Sequence, residues 1–239
     1  MARPADTPVA ILCGGRGTRL QEHTRTIPKP LVQVGGMPIV WHVVQLYAAH
    51  GYREFLLLTG YLGDQVVRFA QDEDWPAGVR VACLDTGVDT PTGGRLALAA
   101  ERLSGGTFCA TYADGVADVD LGALLAFHEG HGAAATMTVV RPRLQFGVAE
   151  LDGERVTAFR EKPLAGHWVN GGFLCLEPRV LERLDAASVL EREPLADLAA
   201  DGELRAHRHE GFWDCMDTDK DRALLNDLWA AGEAPWRRW

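Results

Sequence analysis

The chain has 239 residues, 47% of them hydrophobic and 24% charged, with a formal net charge of −9 at pH 7. That length and balance can bury one sizeable core, which excludes disordered and collagen-like classes, and the acidic excess argues against a general nucleic-acid surface, which needs a basic footprint. The longest apolar runs, such as "VAILC" and "FLLL", fall far short of the roughly 18 residues needed to span a bilayer, and the N-terminus lacks the features of a secretory signal, so a cytoplasmic protein with no membrane partner is expected.

In chain order, "PVAILC" reads as a strand, "PIVWHVVQLYAAHG" as a helix, "EFLLLTGY" as a strand, "GDQVVRFAQDE" as a helix, "VRVACL" as a strand, "RLALAAERL" as a helix and "TFCATY" as a strand. This alternation predicts βαβ units and a doubly wound, mostly parallel α/β sheet. "DLGALLAFHEGHG" follows as a helix, with Asp120 as its N-cap. Then "AATMTVV", "GVAELD", "RVTAFRE" and "WVNGGFLCLE" come too close together for helical crossovers, so hairpins and an antiparallel or mixed portion are expected there. "PLADLAADG" and "DKDRALLNDLWAAG" return to helix. The five cysteines, Cys13, Cys83, Cys109, Cys175 and Cys215, are scattered among apolar residues without metal-ligand or redox spacing and read as small buried hydrophobes.

The loop after the first strand, "LCGGRGTRL", lacks the third glycine of the dinucleotide fingerprint and the Gly-Lys-Ser/Thr of a P-loop. Gly14, Gly15 and Gly17 leave two readings, a plain tight turn or a backbone that approaches phosphate oxygens closely. Behind it, residues 16–29 carry four basic side chains and one acid, against the sign of the whole chain, which suits a locally held anion and points to Arg19 and Lys29. Asp114 ends the strand "TFCATY" and Asp217 ends the run "GFWDCM". Each is a turn residue or a Mg²⁺ ligand, and two strand-end acids from distant parts of the chain can share one ion. Asp219 is expected to begin the last helix and to serve only in capping. The chain has just three lysines, Lys29, Lys162 and Lys220, against 21 arginines. A lysine kept in such a background suggests use of its compact ammonium, and Lys162, followed by proline, is expected in extended geometry at a strand end.

"LCGGRGTRL…PKP", "TGGRL", "YADGVADVD", "EKP…WVNGGF", "EPL…LA…GEL" and "GFW…MDT" occur in that order, and with them the chain resembles the sugar-1-phosphate nucleotidyltransferases, most closely the glucose-1-phosphate cytidylyltransferase branch. The resemblance implies one nucleotide-diphospho-sugar transferase domain over residues 1–239: a nucleotide-binding part over 1–132, a strand-rich sugar-phosphate part over 133–218, and a C-terminal helix and tail over 219–239. It implies that Gly14, Gly15, Gly17 and Thr18 hold the nucleotide with Arg19 and Lys29 on the triphosphate, that Thr92, Gly93 and Gly94 lie near the base, and that Asp114 and Asp217 bind Mg²⁺. Lys162 would grip the sugar phosphate, and Gly147, Glu161 and Asn170 would line the sugar pocket. The implied partners are a nucleoside triphosphate and a sugar 1-phosphate, CTP and glucose 1-phosphate first, with self-association into a homo-oligomer. Two rivals stand beside this: the same chemistry on a heptose or aminosugar 1-phosphate with GTP, UTP or dTTP, and a catalytically silent sugar-nucleotide-binding regulator. The chain departs from the branch in passing straight through "FAQDEDWPAGVRVACLDTG", where the family has an added segment that helps form the nucleotide site and subunit contacts.

Overall fold

A computed structural model describes residues 2–239. The first half lays down strands and helices in alternation: β1 (Val9–Leu12), a short α1 (Gln21–Thr24), the two-residue strands β2 (Gln33–Val34) and β3 (Met37–Pro38), α2 (Ile39–Ala49), β4 (Glu54–Thr59), α3 (Gly63–Asp72), β5 (Arg80–Asp85), α4 (Thr92–Leu98), α5 (Ala100–Leu103) and β6 (Phe108–Tyr112). After β7 (Gly115–Ala117) and α6 (Leu121–His131) the spacing shortens into β8 (Ala135–Val140), β9 (Val148–Asp152), β10 (Arg155–Arg160) and β11 (Val169–Leu176). The chain closes through α7 (Glu193–Ala200), β12 (Leu204–Arg208), β13 (Trp213–Cys215) and α8 (Asp219–Ala230). As read from the sequence, Asp120 caps α6, its carboxylate accepting the Ala123 N–H.

Seven strands form one sheet in the order β12-β8-β11-β6-β1-β4-β5. All pairings are parallel except the two made by β11, which runs against both β6 and β8. This is the mixed, mostly parallel sheet expected, and the reversal arises because β11 follows the β9–β10 hairpin rather than a helical crossover. Successive side chains of a strand face opposite sides of a sheet: Val9 and Ile11 enter one core with α2 and α6, and Ala10 and Leu12 enter the other with Leu96, Leu103 and Leu198. The polar strand β12 escapes a hydrophobic reading because it is an edge. Only Leu204 and Ala206 alternate with its polar residues Arg205, His207 and Arg208, and edge strands carry charge where a central strand could not.

A third core joins the segment after β1 to the C-terminus: Leu20, Val34, Ile39, Val116, Met216, Leu225 and Trp236 pack together. At its margin, fully buried His42 sits among Trp41, Trp229, Trp236 and Trp239, with the Trp229 ring 4.7 Å away. His42 Nε2 lies 2.8 Å from the Val34 carbonyl and donates to it, while Nδ1 accepts the Trp236 indole N–H at 3.3 Å. A second ring proton would face another donor. No described helix is long and apolar enough to cross a membrane.

Burial holds the folded-state pKa of His42 down to about 4. Between that value and the unfolded value of about 6.5 the unfolded chain binds the extra proton, so the stabilisation is complete above pH 6.5 and is lost as pH falls towards 4. Urea unfolding is expected to show about 2 kcal/mol less stability from this group at pH 5 than at pH 7.5. Because Asp214, held up to about 6 by burial, contributes with the opposite sign in the same window, the reading is the difference between wild type and His42→Gln, and a difference unchanged between the two pH values would mean that the folded ring accepts its second proton.

Candidate active site

Strand β1 has β4 on one side and β6 on the other, and its chain neighbours leave in opposite directions. Such a switch point opens a crevice at the strand C-termini. The loop after β1 and the end of β6 meet there around a cavity of about 440 Å³, lined by Gly14, Gly15, Gly17, Thr18, Arg19, Lys29, Thr92, Arg95, Tyr112 and Asp114. A second cavity of about 280 Å³ adjoins it and shares Arg19, Tyr112 and Asp114, adding Asn170, Trp213, Cys215 and Asp217.

The three loop glycines answer to three different constraints. A Cβ on Gly14 would lie 1.9 Å from a guanidinium nitrogen of Arg95, so a side chain there would have to displace Arg95 from its hydrogen bonds. Gly17 has φ +60°, and a Cβ there would come within 2.9 Å of Lys29 Cβ. A Cβ on Gly15 would meet nothing within 4 Å, and the residue lines the cavity.

The acids are brought together by backbone pairing. β7 and β13 run antiparallel with Gly115 opposite Cys215, and Met216 N–H donates to the Asp114 carbonyl at 2.9 Å. Asp114 and Asp217 therefore face one point. Lys29 occupies it, its ammonium bonded to Asp114 and, at 2.6 Å, to Asp217, residues 85 and 188 positions away in sequence. Arg19 adds a 2.6 Å contact to the other Asp217 oxygen. Burial opposes the charge on Lys29, but the two carboxylates outweigh it and raise its pKa. Burial likewise opposes ionisation of Asp217, and Lys29 and Arg19 reverse that effect, lowering its pKa. Lys29 and Asp217 are thereby held in their charged forms at neutral pH.

Asp219 is the first residue of α8 rather than its cap. Thr218 caps the helix in a reciprocal box with Asp221, and the Asp219 carboxylate is spent on His23 at 2.8 Å and Arg222 at 3.6 Å. A hydroxyl before the first turn, with an acid three residues on, is the sequence signal for that box.

Gly93 and Gly94 are absent from the cavity lining, although Thr92 is part of it. A Cβ on Gly93 would lie 2.8 Å from the Ser188 carbonyl oxygen and one on Gly94 2.3 Å from that of Ala186, so these glycines let α4 pack directly on the 186–188 backbone. Arg95, the residue after them, is a member of the site that sequence reasoning misses. It is 4% exposed and its Nη1 donates to the Thr59 carbonyl at 2.9 Å, the Thr86 hydroxyl at 2.6 Å and the Gly87 carbonyl at 2.9 Å. Burial lowers its pKa. Among the described residues no carboxylate lies within 4 Å of it, and its place in "TGGRL", directly after the two glycines, is the available signal. Tyr112, at the end of β6, is shared by both cavities and is likewise missed.

Lys162 lies elsewhere. It is half-exposed, its ammonium is 3.6 Å from Glu161, and it lines a third cavity of about 630 Å³ together with Lys220, Trp213 and Asp214. Trp213 also lines the second cavity, so the two share that residue. Nor is Lys162 extended: its φ is +44°. Leu144 N–H bonds the Pro163 carbonyl and Ala165 N–H bonds the Pro142 carbonyl, each at 2.9 Å. These bonds tie residues 163–165 to 142–144, and Lys162 makes the corner between that tie and the hairpin. The left-handed conformation costs a non-glycine residue roughly 1 kcal/mol or more. Gly147 and Glu161 sit together at the hairpin base, a Gly147 Cβ falling 2.9 Å from the Glu161 carboxylate, while Asn170 lies with the acids.

Residues 9–213 match the family model described as Nucleotidyl transferase. The chain belongs to the nucleotidyl transferase family. Two proteins, from Salmonella typhi and Salmonella typhimurium, each named glucose-1-phosphate cytidylyltransferase, are 40% identical to this nucleotidyl transferase over 96% of its length and 98% of theirs. Those alignments run over 256 positions, more than the 239 residues present here, so the Salmonella proteins carry segments that this one lacks. The crystal structure of HddC from Yersinia pseudotuberculosis shares the fold, with a TM-score of 0.74 at 20% identity over 93% of this chain and 99% of that one.

The packing around the loop of this nucleotidyl transferase separates its glycines experimentally. Gly14→Ala is expected to destabilise the protein by about 1 to 3 kcal/mol, the usual cost of forcing atoms into a filled site. Gly15→Ala should leave the melting temperature unchanged and weaken nucleotide binding. Differential scanning fluorimetry with and without nucleotide reads both, and equal loss of stability in the two variants would contradict this assignment of roles.

Proposed function

We propose that the protein joins CTP to α-D-glucose 1-phosphate, releasing pyrophosphate and forming CDP-glucose. The observation that carries the reading is the meeting of Lys29, Asp114 and Asp217 beside the glycine loop at the switch point of the sheet, in a chain 40% identical along nearly its whole length to proteins named for that reaction. A phosphate oxygen of the sugar 1-phosphate forms a bond to the α-phosphorus of CTP, and the bond to the pyrophosphate oxygen breaks in line. No covalent intermediate on the protein is required, because the attacking phosphate is already anionic near neutral pH. The protein's work is to bring two anions together and to stabilise the charge that develops on the leaving group.

The residues divide that work. Gly15, where a side chain would meet nothing within 4 Å, lets the triphosphate approach the loop backbone, with Thr18, Arg19, Lys29 and Arg95 around it. Asp114 and Asp217 suit Mg²⁺, which takes one or two carboxylates and fills its other positions with water and phosphate oxygens. The ammonium of Lys29 held between them supports the reading that a cation suits that point. When bound, the ion supplies neutralisation of the phosphate charge. Asn170 and Tyr112 face the sugar side, and Lys162, Glu161 and Gly147 stand on the hairpin flank, from which Lys162 takes the sugar phosphate across Trp213.

Pyrophosphate release measured with four nucleoside triphosphates against a panel of sugar 1-phosphates is expected to favour CTP with glucose 1-phosphate by about tenfold or more in kcat/KM, a margin one set of base contacts can supply. Preference for UTP, dTTP or GTP by the same margin would overturn the choice of base.

Asp114→Asn and Asp217→Asn should each reduce kcat by about a hundredfold or more at saturating Mg²⁺ while the fold persists by circular dichroism. Retention of activity within about threefold would remove both from the metal site.

Lys162→Ala should cost about 2 to 4 kcal/mol in kcat/KM for the sugar phosphate and leave CTP affinity by calorimetry unchanged. Lys162→Arg is expected to restore only part, since a planar fork does not replace a compact ammonium. Equal loss for both substrates would place Lys162 on the triphosphate.

A further inference from the structure

Between the two cavities stands a carboxylate that lines neither. Glu191 lies just before α7, in the segment that packs on α4. Its Oε2 accepts the Thr92 hydroxyl at 2.5 Å and its Oε1 accepts the Tyr112 phenol at 2.5 Å. Thr92 lines the larger cavity, and Tyr112 lines both. The phenol oxygen accepts in turn from Asn170 Nδ2 at 3.2 Å, and Asn170 Oδ1 accepts Gly172 N–H at 2.8 Å. One chain of hydrogen bonds runs from the start of α4 to β11.

The direction of each proton follows from the partners. Leu190 N–H donates to Thr92 Oγ1 at 3.0 Å, and Asn170 donates to Tyr112, so each hydroxyl has its own proton left to give. Among the described residues Glu191 is the group that accepts both. An ionised carboxylate is acceptor-only with two oxygens, which is what two facing hydroxyls need, and charge-assisted bonds of this kind are the shorter and stronger sort. Burial first, and then the neighbouring Glu191 charge, raise the Tyr112 pKa, so the ring remains a phenol.

The segment that carries Glu191 is held in place. Gly94 N–H donates to the Ser188 carbonyl at 2.9 Å, and Asp185 Oδ1 accepts both Ala187 N–H and the Ser188 hydroxyl at 2.9 Å. Leu190 is fully buried beside Glu191. On the far side, Gly172 has φ +82°, and a Cβ there would fall 2.6 Å from the Tyr112 ring. The ring is therefore seated directly on the β11 backbone.

We propose that Glu191 is a positioning residue that sets the separation of the two substrates, one carboxylate holding Thr92 on the nucleotide side and Tyr112, with Asn170, on the sugar side. This rests on the cytidylyltransferase reading above. In-line transfer between two bound anions is sensitive to their spacing, and a misplacement of about 1 Å can cost on the order of a hundredfold in rate.

Steady-state kinetics with CTP and glucose 1-phosphate test it. Glu191→Ala is expected to lower kcat by about 10- to 100-fold with each KM changed by less than about threefold, because the loss falls on alignment rather than on binding. Glu191→Gln, whose amide keeps one acceptor, should fall between. Thr92→Val and Tyr112→Phe supply the decisive arm. Beside Glu191 the double variant should lose little more than the worse single one, and in the Glu191→Ala background each substitution should cost less than about twofold. A kcat within about twofold of wild type for Glu191→Ala, or Thr92 and Tyr112 losses that multiply and persist at full size without Glu191, would overturn the proposal. If Glu191→Ala does not fold by circular dichroism, the same cycle in Glu191→Gln decides. A wild-type protein that binds CTP by calorimetry yet turns over no sugar phosphate refutes the functional reading by itself. Loss of CTP affinity on Thr92→Val, present beside Glu191 and absent in the Glu191→Ala variant, then still supports the linkage, and an equal loss in both refutes it.

Discussion

The ammonium of Lys29 is the contact on which the rest of this site depends. Two carboxylates aimed at one point repel, and either must shed its charge or share a cation. Lys29 is that cation, only 13% exposed, and it is bonded to acids from two other parts of the chain. Its own position is set from behind: Leu20, Val34 and Ile39 pack with Met216, Leu225 and Trp236, so the core that fixes the loop after β1 also fixes the strand that delivers Asp217. Packing and charge enforce the same geometry. A bound metal would meet carboxylates already convergent.

This arrangement reconciles a net charge of −9 with a site for two anions. The cations are local and differ in kind. Arg19 is a largely exposed arm on Asp217, Lys29 is a buried bridge, and Arg95 is a guanidinium held by carbonyls beneath Gly14. A buried charge is costly unless its hydrogen bonds are satisfied, and Arg95 satisfies them with loop carbonyls while its positive charge stays available at the cavity wall. Gathering these groups from short turns and α4 around the strand ends of the sheet gives a precision that a mobile loop alone would lack.

The side proposed for the sugar is built differently. Asn170 and Tyr112 belong to central strands, whereas Lys162, Glu161 and Gly147 hang on the β9–β10 hairpin, a two-stranded sheet outside the main one. Isolated hairpins have little stability of their own, and this one leaves Leu151, Val156 and Phe159 more than half exposed. The site thus joins a fixed half to a half with few supports, and Glu191 ties the fixed half across its two cavities.

Much of this is legible in the chain. Alternating apolar runs and helical periods give the doubly wound sheet, because central parallel strands such as β1 and β6 are buried on both faces and show as continuous apolar runs. The glycine loop, its basic flank and both strand-end acids can be found because they sit at positions where open α/β sheets place ligands. Edge strand β12 does not show, since its alternation rests on Leu204 and Ala206 alone. The cap of α8 reads one residue late, at Asp219 instead of Thr218. Four matters are decided by tertiary structure alone. Gly14 and Gly94 are glycines because a guanidinium and a carbonyl occupy the space of a side chain, Lys162 turns into the left-handed region between two backbone ties, Arg95 lies beneath the loop, and Glu191 meets Thr92 and Tyr112 from 99 and 79 positions away. The reason is common to all four. Local sequence encodes propensity and period over a few residues, whereas steric exclusion and the matching of donors to acceptors exist only between segments that the folded sheet has brought into contact.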